Sequence, residues 1–265
     1  MFGPLVLARI LGVVGKIVVG VLAVGIGWRA TGALGGFLAA QLIILFYSWR
    51  KLAPAFSRSL PIDSQQIISY SGSVFGAICG LTLLYNLDVI LARHFLLPQD
   101  AGFYAAISLL GKIVFFINSS MGVILFPVVV WQKTTRQNRS FQLLPLLGIL
   151  AGSILLVIGY FVFPESLIKI IFGPAYLAIA DYLGWIGVIF VLYSLVNLLS
   201  LYYLAQEKKD FVAILLAGVA LEGALLGIYH QNISQILQVM GGVLAGVLLA
   251  LAILPQLKKI PLGQS

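Results

Sequence analysis

The sequence is poor in charge. Of 265 residues only 24 are charged, 16 Lys and Arg against 8 Asp and Glu. A soluble domain carries about a quarter charged residues. Apolar residues make up 61% and glycines number 28, and the mean hydropathy is +1.09. So few charges cannot cover the surface of a soluble globule of this size, which excludes a soluble enzyme, a nucleic-acid reader and a disordered chain. No nucleic-acid partner is expected. Cysteine is nearly absent: Cys79 stands alone in an apolar run, so the chain holds no internal disulfide framework and no cysteine-based zinc cluster. The two histidines, His94 and His230, have no metal-ligand spacing, and no HExxH, Walker A or GxSxG motif occurs. Acids are few and scattered, without the paired aspartates that hold magnesium around a diphosphate in membrane transferases. The closest pair, Glu207 and Asp210, flanks Lys208 and Lys209 and reads as a solvated turn. These absences point away from an enzyme and from any metal or cofactor. Strand-like alternation is also missing, which excludes an outer-membrane barrel.

Long apolar runs are abundant. A membrane helix needs about 20 mostly apolar residues. Eight segments qualify: Leu5–Ile26, Ala30–Tyr47, Ile67–Leu91, Gly102–Val130, Leu143–Phe163, Tyr182–Leu204, Phe211–Tyr229 and Ile236–Leu254. The expected fold class is an all-α, polytopic membrane helix bundle. The first two spans, separated only around Trp28 and Arg29, form a tight hairpin. Arg9 and Lys16 interrupt the first run, so it is read as a true span and not a signal peptide.

The basic residues sort by side. Arg50, Lys51 and Arg58 follow span two; Lys133, Arg136 and Arg139 follow span four; Lys208 and Lys209 follow span six; Lys258 and Lys259 follow span eight. Arg29, Arg93 and Lys169 fall on the opposite side. By the positive-inside rule the ten-charge side is cytoplasmic, both termini are inside, and Arg9 lies near the inner interface. The expected location is the cytoplasmic (inner) membrane. Residues 51–65, with Pro54 and Pro61, read as a cytoplasmic connector between two helices (1–50) and a six-helix lobe (66–265). Pro164–Asp181 reads as a short helix and turn along the outer interface.

Four ionisable residues fall at membrane depth, where a charge costs roughly 2.5–3.5 kcal/mol on insertion scales and faces a cavity or a partner. Lys16 lies mid-span among valines and glycines, as the wall of a polar path or in a structural pair with a buried acid. Lys112 shares one face of span four with Tyr104, Ser108, Phe115 and Ser119, at spacings of four, four, three and four. That stripe is either a cavity wall or a polar helix seam. Asp88, after Asn86, is within reach of Lys112 on the next helix, and a structural and a transport role are open for it. Glu222 either binds a cation or a proton or is a neutral carboxylic acid. Asn197, with Tyr193 and Ser200, forms a short polar face on span six, which helix–helix hydrogen bonding would also explain.

Three stretches resemble a known family. Asn86-Leu-Asp88 precedes Gly102-Phe-Tyr104 and then Leu125-Phe126-Pro127; Ile171-Phe172-Gly173-Pro-Ala-Tyr176 follows; Tyr203-Leu-Ala-Gln precedes the Lys208-Lys209 loop. Together, in this order, they resemble the oligosaccharide (O-antigen type) flippases for polysaccharide biosynthesis, within the multidrug/oligosaccharidyl-lipid/polysaccharide exporter superfamily. The resemblance covers roughly 63–254 and implies a multidrug-exporter-like lobe. It implies movement of a polyprenyl-diphosphate-linked oligosaccharide to the outer leaflet. Lys16 and Lys112 would then face a common polar path with Tyr104, Ser108, Ser119, Asn86 and Asn197. Family members have about twelve helices, so the chain reads as one lacking the first four, with a partner chain or a second copy supplying them. The superfamily also contains cation-coupled drug antiporters, for which Asp88 or Glu222 would be the coupling acid. A non-transporting membrane assembly protein is the third reading.

Overall fold

The computed structural model describes residues 3–52, 64–135 and 143–257. Arg58, Arg136, Arg139, Lys258, Lys259 and most of the expected connector lie outside the described residues. No strand occurs among the described residues. The chain divides into two compact units, within 1–63 and 64–265.

The first unit is a helical hairpin of α1 (Gly3–Ala23) and α2 (Arg29–Leu52), joined through Val24–Trp28. The chain breaks at Gly27, whose φ of 98° is open to glycine at little cost. The helices pack on small residues. A Cβ added at Gly36 would stand 2.5 Å from the Cα and N of Gly20, and Ala40 is buried against the same seam. With lipid tails as apolar as leucine, such backbone proximity is how membrane helices gain dispersion energy. The outward faces carry bulky apolar residues such as Val21, Ile26, Leu38 and Phe46, all exposed.

The second unit contains α3 (Ser64–Phe95), α4 (Pro98–Thr135), α5 (Leu143–Val162), α6 (Pro164–Ile171), a 3₁₀ segment (Pro174–Tyr182), α7 (Leu183–Ala205), α8 (Asp210–Ile228) and α9 (Ile233–Leu257). The central helix is α7, which packs on α3, α4, α5 and α9. Its apolar residues are not confined to one face, the pattern of a helix surrounded by others, and Ser194, Asn197 and Ser200 are its polar positions. Its Ile186 and Phe190 interleave with Ile107, Leu110 and Val114 of α4, and Met240, Leu244 and Leu251 close the core from α9. Gly111 and Gly184 permit close approach: a Cβ at the first would run into the Phe190 ring and at the second into the Phe161 ring.

Pro164 shapes the middle of the unit. The residue before a proline is disfavoured from helical geometry, and Phe163 sits at φ −126°, ψ 44°. The axis turns by 91° between Ala151–Val162 and Pro164–Ile171. Pro164–Asp181 therefore forms the expected short helix and turn, with the 3₁₀ segment leading into α7.

Five helical stretches are each long and apolar enough to cross a bilayer: Ser71–Phe95, Pro98–Ser119, Pro174–Ala205, Asp210–Ile228 and Ile233–Leu254. The bent α5–α6 pair adds a sixth if it is one span, and the hairpin contributes the shorter apolar helices Gly12–Trp28 and Leu34–Tyr47. The architecture is that of a helical, multi-pass membrane protein. At 1.5 Å per residue, α3 and α4 extend about 48 and 57 Å, well beyond the roughly 30 Å of hydrocarbon.

Candidate functional site

The polar residues of the second unit gather where α3 meets α4. The short turn through Leu96 and Leu97 makes the two helices antiparallel neighbours, so the end of α3 faces the start of α4. Residues two apart on a helix point about 200° away from each other. Asn86 and Asp88 therefore serve different environments. Asp88 lies on the same face as Leu84 and Ala92 and is fully buried, whereas Asn86 is half-buried.

Asp88 anchors an inner system. Its Oδ2 accepts a hydrogen bond from the Tyr104 hydroxyl at 2.7 Å and a longer one from Ser108 at 3.4 Å. Tyr104 also lies 3.8 Å from the Met240 sulfur of α9. All three polar residues are buried, and the second carboxyl oxygen, Oδ1, has no hydrogen-bond partner.

Lys112 anchors an outer system one turn further along α4. Its ammonium donates to Asn86 Oδ1 at 3.1 Å and stands 4.5 Å from the centroid of the Tyr85 ring. Tyr85 belongs to an aromatic cluster with Phe115, Phe190 and Tyr193 at centroid separations of 5.0–6.1 Å. Asn86 is itself fixed by its amide's bond to the Thr82 carbonyl. Asp88 and Lys112, expected within reach of each other, are neighbours without a direct bond among the described residues. The lysine's bonded contacts are neutral, and Asp88 acts on it only through the field. The physical reason is the 200° offset: Asp88 turns into the core, while Asn86 and Tyr85 meet the long lysine stem at the rim.

The expected α4 stripe thus divides by depth. Tyr104 and Ser108 form a buried seam with α3, Lys112 and Phe115 are half-buried, and Ser119 returns its hydroxyl to the Phe116 carbonyl. Asn118, next to it in sequence, faces the other way. Its amide donates to Ser153 on α5 at 2.8 Å and to Ser194 on α7 at 3.1 Å. The Tyr193 hydroxyl donates to the Leu81 carbonyl at 3.0 Å, and Asn197, one turn on, interacts with it.

Glu222 is fully buried on α8, and neither of its carboxyl oxygens has a hydrogen-bond partner. It lies within electrostatic range of Asp88 and Tyr104. Lys16 belongs to the hairpin: it is exposed on α1, with its ammonium 5.1 Å from the Phe37 ring centroid. Among the described residues no three His, Cys, Asp or Glu side chains come together in a metal-binding group.

Sequence reasoning placed Lys16, Asn86, Tyr104, Ser108, Lys112, Ser119 and Asn197 along one path, with Asp88 in reach of Lys112; the structure brings Asn86, Asp88, Tyr104, Ser108 and Lys112 together, while Ser119 bonds within its own helix, Asn197 stands with Tyr193 and Lys16 belongs to the hairpin. It did not find Ser153, Ser194 and Met240, which serve their partners across helices and carry no spacing signal. Comparison with protein-family models, curated proteins and solved structures finds no match to this chain.

Proposed function

We propose that the protein is a membrane transporter that moves a polyprenyl-diphosphate-linked oligosaccharide across the cytoplasmic membrane for cell-envelope polysaccharide synthesis. The observation that carries this reading is Lys112, a lysine at membrane depth whose bonded contacts are an amide oxygen and an aromatic face. A cation is expensive there, and its attraction for an anion is strengthened by the low dielectric of the site. Diphosphate and acidic sugar groups supply that anion, and the lipid tail stays in the bilayer. The ordered resemblance from Asn86-Leu-Asp88 through Phe172-Gly173 to Tyr203 supports the same substrate class. The eight-span topology with both termini in the cytoplasm belongs to this proposal, resting on the distribution of Lys and Arg.

The test is complementation of a flippase-deficient strain. The intact gene restores surface polysaccharide, and Lys112→Met lowers it at least about tenfold at equal membrane abundance, the effect of losing a partly desolvated charge contact. Unchanged polysaccharide in Lys112→Met removes the substrate-path role.

A second reading, a cation-coupled antiporter, is favoured by one observation: Asp88 Oδ1 and both Glu222 oxygens are buried without hydrogen-bond partners. Asp88→Asn and Glu222→Gln would then abolish ion-dependent drug efflux from vesicles. Efflux unaffected by both substitutions rejects coupling by these acids.

A further inference from the structure

The second unit contains a groove that the transport reading does not use. It lies between α7 and α9, with a volume of about 600 Å³, inside the range of about 300–1,000 Å³ typical of small-molecule sites. One wall rises from Asp181 through Trp185 and Ile189 to Leu192, at helical spacings of four, four and three. The other carries Ser234, Gln238 and Gly241 of α9. The polar residues are concentrated at one end, where both helices begin, and the floor beyond Trp185 is apolar.

Three features define what fits. Asp181 is the one charged residue of the lining, is exposed, and makes no hydrogen bond or ion pair among the described residues. Trp185 is 60% exposed, with its ring edge-to-face against Phe161 at 5.8 Å, so the indole is held in place while much of its surface stays open. An acid beside an aromatic face is a cation-recognising pair. Finally, Asp181 and Leu192 stand eleven positions apart, about 17 Å along the end of the 3₁₀ segment and the first turns of α7, close to one leaflet of a hydrocarbon core roughly 30 Å thick.

We propose that this groove holds a membrane phospholipid with a primary-amine headgroup, the ammonium at Asp181 and one acyl chain along the floor between α7 and α9. The negative headgroups that Lys112 would attract are disfavoured here by Asp181, so this site and the transport path select opposite charges. The proposal stands whether or not the transport reading does.

The test uses the full-length protein reconstituted in bilayers of equal phosphatidylethanolamine and phosphatidylglycerol, followed by native mass spectrometry of retained lipid. Phosphatidylethanolamine is enriched about two- to fivefold over the bulk ratio, as one partly exposed ion pair provides. Asp181→Asn returns retention to the bulk ratio. Retention at the bulk ratio by the unaltered protein overturns the proposal, as does undiminished enrichment in Asp181→Asn. A photoactivatable phosphatidylethanolamine applied to the unaltered protein provides the second measurement. Labelling of peptides containing Trp185 and Gln238 supports the site. Labelling confined to other helices, or a dimer contact that occupies this groove and excludes lipid, overturns it.

Discussion

The hairpin and the larger unit contain the same kind of residue in opposite circumstances. Each places a lysine within an apolar helix. In the hairpin, α1 and α2 approach through Gly20 and Gly36, a contact too close to admit side chains, and Lys16 is left on the outside against Phe37. In the larger unit the helices are separated by side chains, and the space between α3 and α4 accommodates Asp88, Tyr104, Ser108, Asn86 and Lys112 in a hydrogen-bonded set. A backbone-to-backbone seam gives close packing and no room for polar chemistry. A side-chain seam gives room, and the polar groups within it must find partners. The depth of a lysine in a span therefore does not determine its role; the kind of seam beside it does.

This difference is tested most severely at Gly36. Gly36→Leu forces the helices apart and is expected to cost about 3 kcal/mol, the upper part of the overpacking range. A Gly12→Cys, Ile44→Cys crosslink in a Cys79→Ser background then disappears, while a Gly76→Cys, Val212→Cys crosslink in the larger unit persists. Loss of both, or of neither, contradicts two separately packed units.

Next in size is Asp88→Ala, which leaves the Tyr104 and Ser108 hydroxyls without their acceptor. A cost of about 1–3 kcal/mol follows, read as a lower denaturation midpoint in detergent. Tyr104→Phe, which removes one donor from the carboxylate, costs less. Equal stability of Asp88→Ala and the unaltered protein would show that the inner system does not hold α3 to α4.

Glu222→Leu should change stability by less than about 1 kcal/mol or raise it, since a buried carboxyl with no hydrogen bonds has none to lose. A marked loss of stability would reveal a partner for Glu222. The smallest effect belongs to Lys16→Met. An exposed cation–π contact is worth about 0.5–1 kcal/mol, and the hairpin crosslink should survive. Hairpin unfolding would mean that Lys16 is part of the packing.

Much of the architecture was legible in the sequence because apolar runs near 20 residues have few other uses. The five helices long enough to span overlap expected segments, and the bend falls where an expected span ended at Phe163 and the short helix of Pro164–Asp181 began. The hairpin was legible from the short separation around Trp28, although the break itself falls at Gly27. Helix ends were less so: α4 continues to Thr135, past the expected Val130, because a helix can run on beyond its apolar stretch into polar residues such as Gln132 and Lys133. The site was legible as a region and not as a set of bonds. Spacing placed Tyr104, Ser108 and Lys112 on one face, but it could not say that Asp88 would take the two hydroxyls while Lys112 took Asn86. That choice depends on the rotation of α3 against α4, which is set by core contacts such as those of Leu84 and Ile107. The Asn118–Ser153–Ser194 set was illegible for the same reason, since its members lie on three helices.

The most direct test of transport is reconstitution. Proteoliposomes containing the purified protein and a lipid-linked oligosaccharide loaded on one leaflet are sampled with a glycosidase that cannot cross the bilayer. If Lys112 lies on the substrate path, the unaltered protein makes the inner pool accessible and Lys112→Met, though folded, does so at least about tenfold more slowly. An inner pool that stays protected with the unaltered protein, or equal rates for the two proteins, contradicts the proposal.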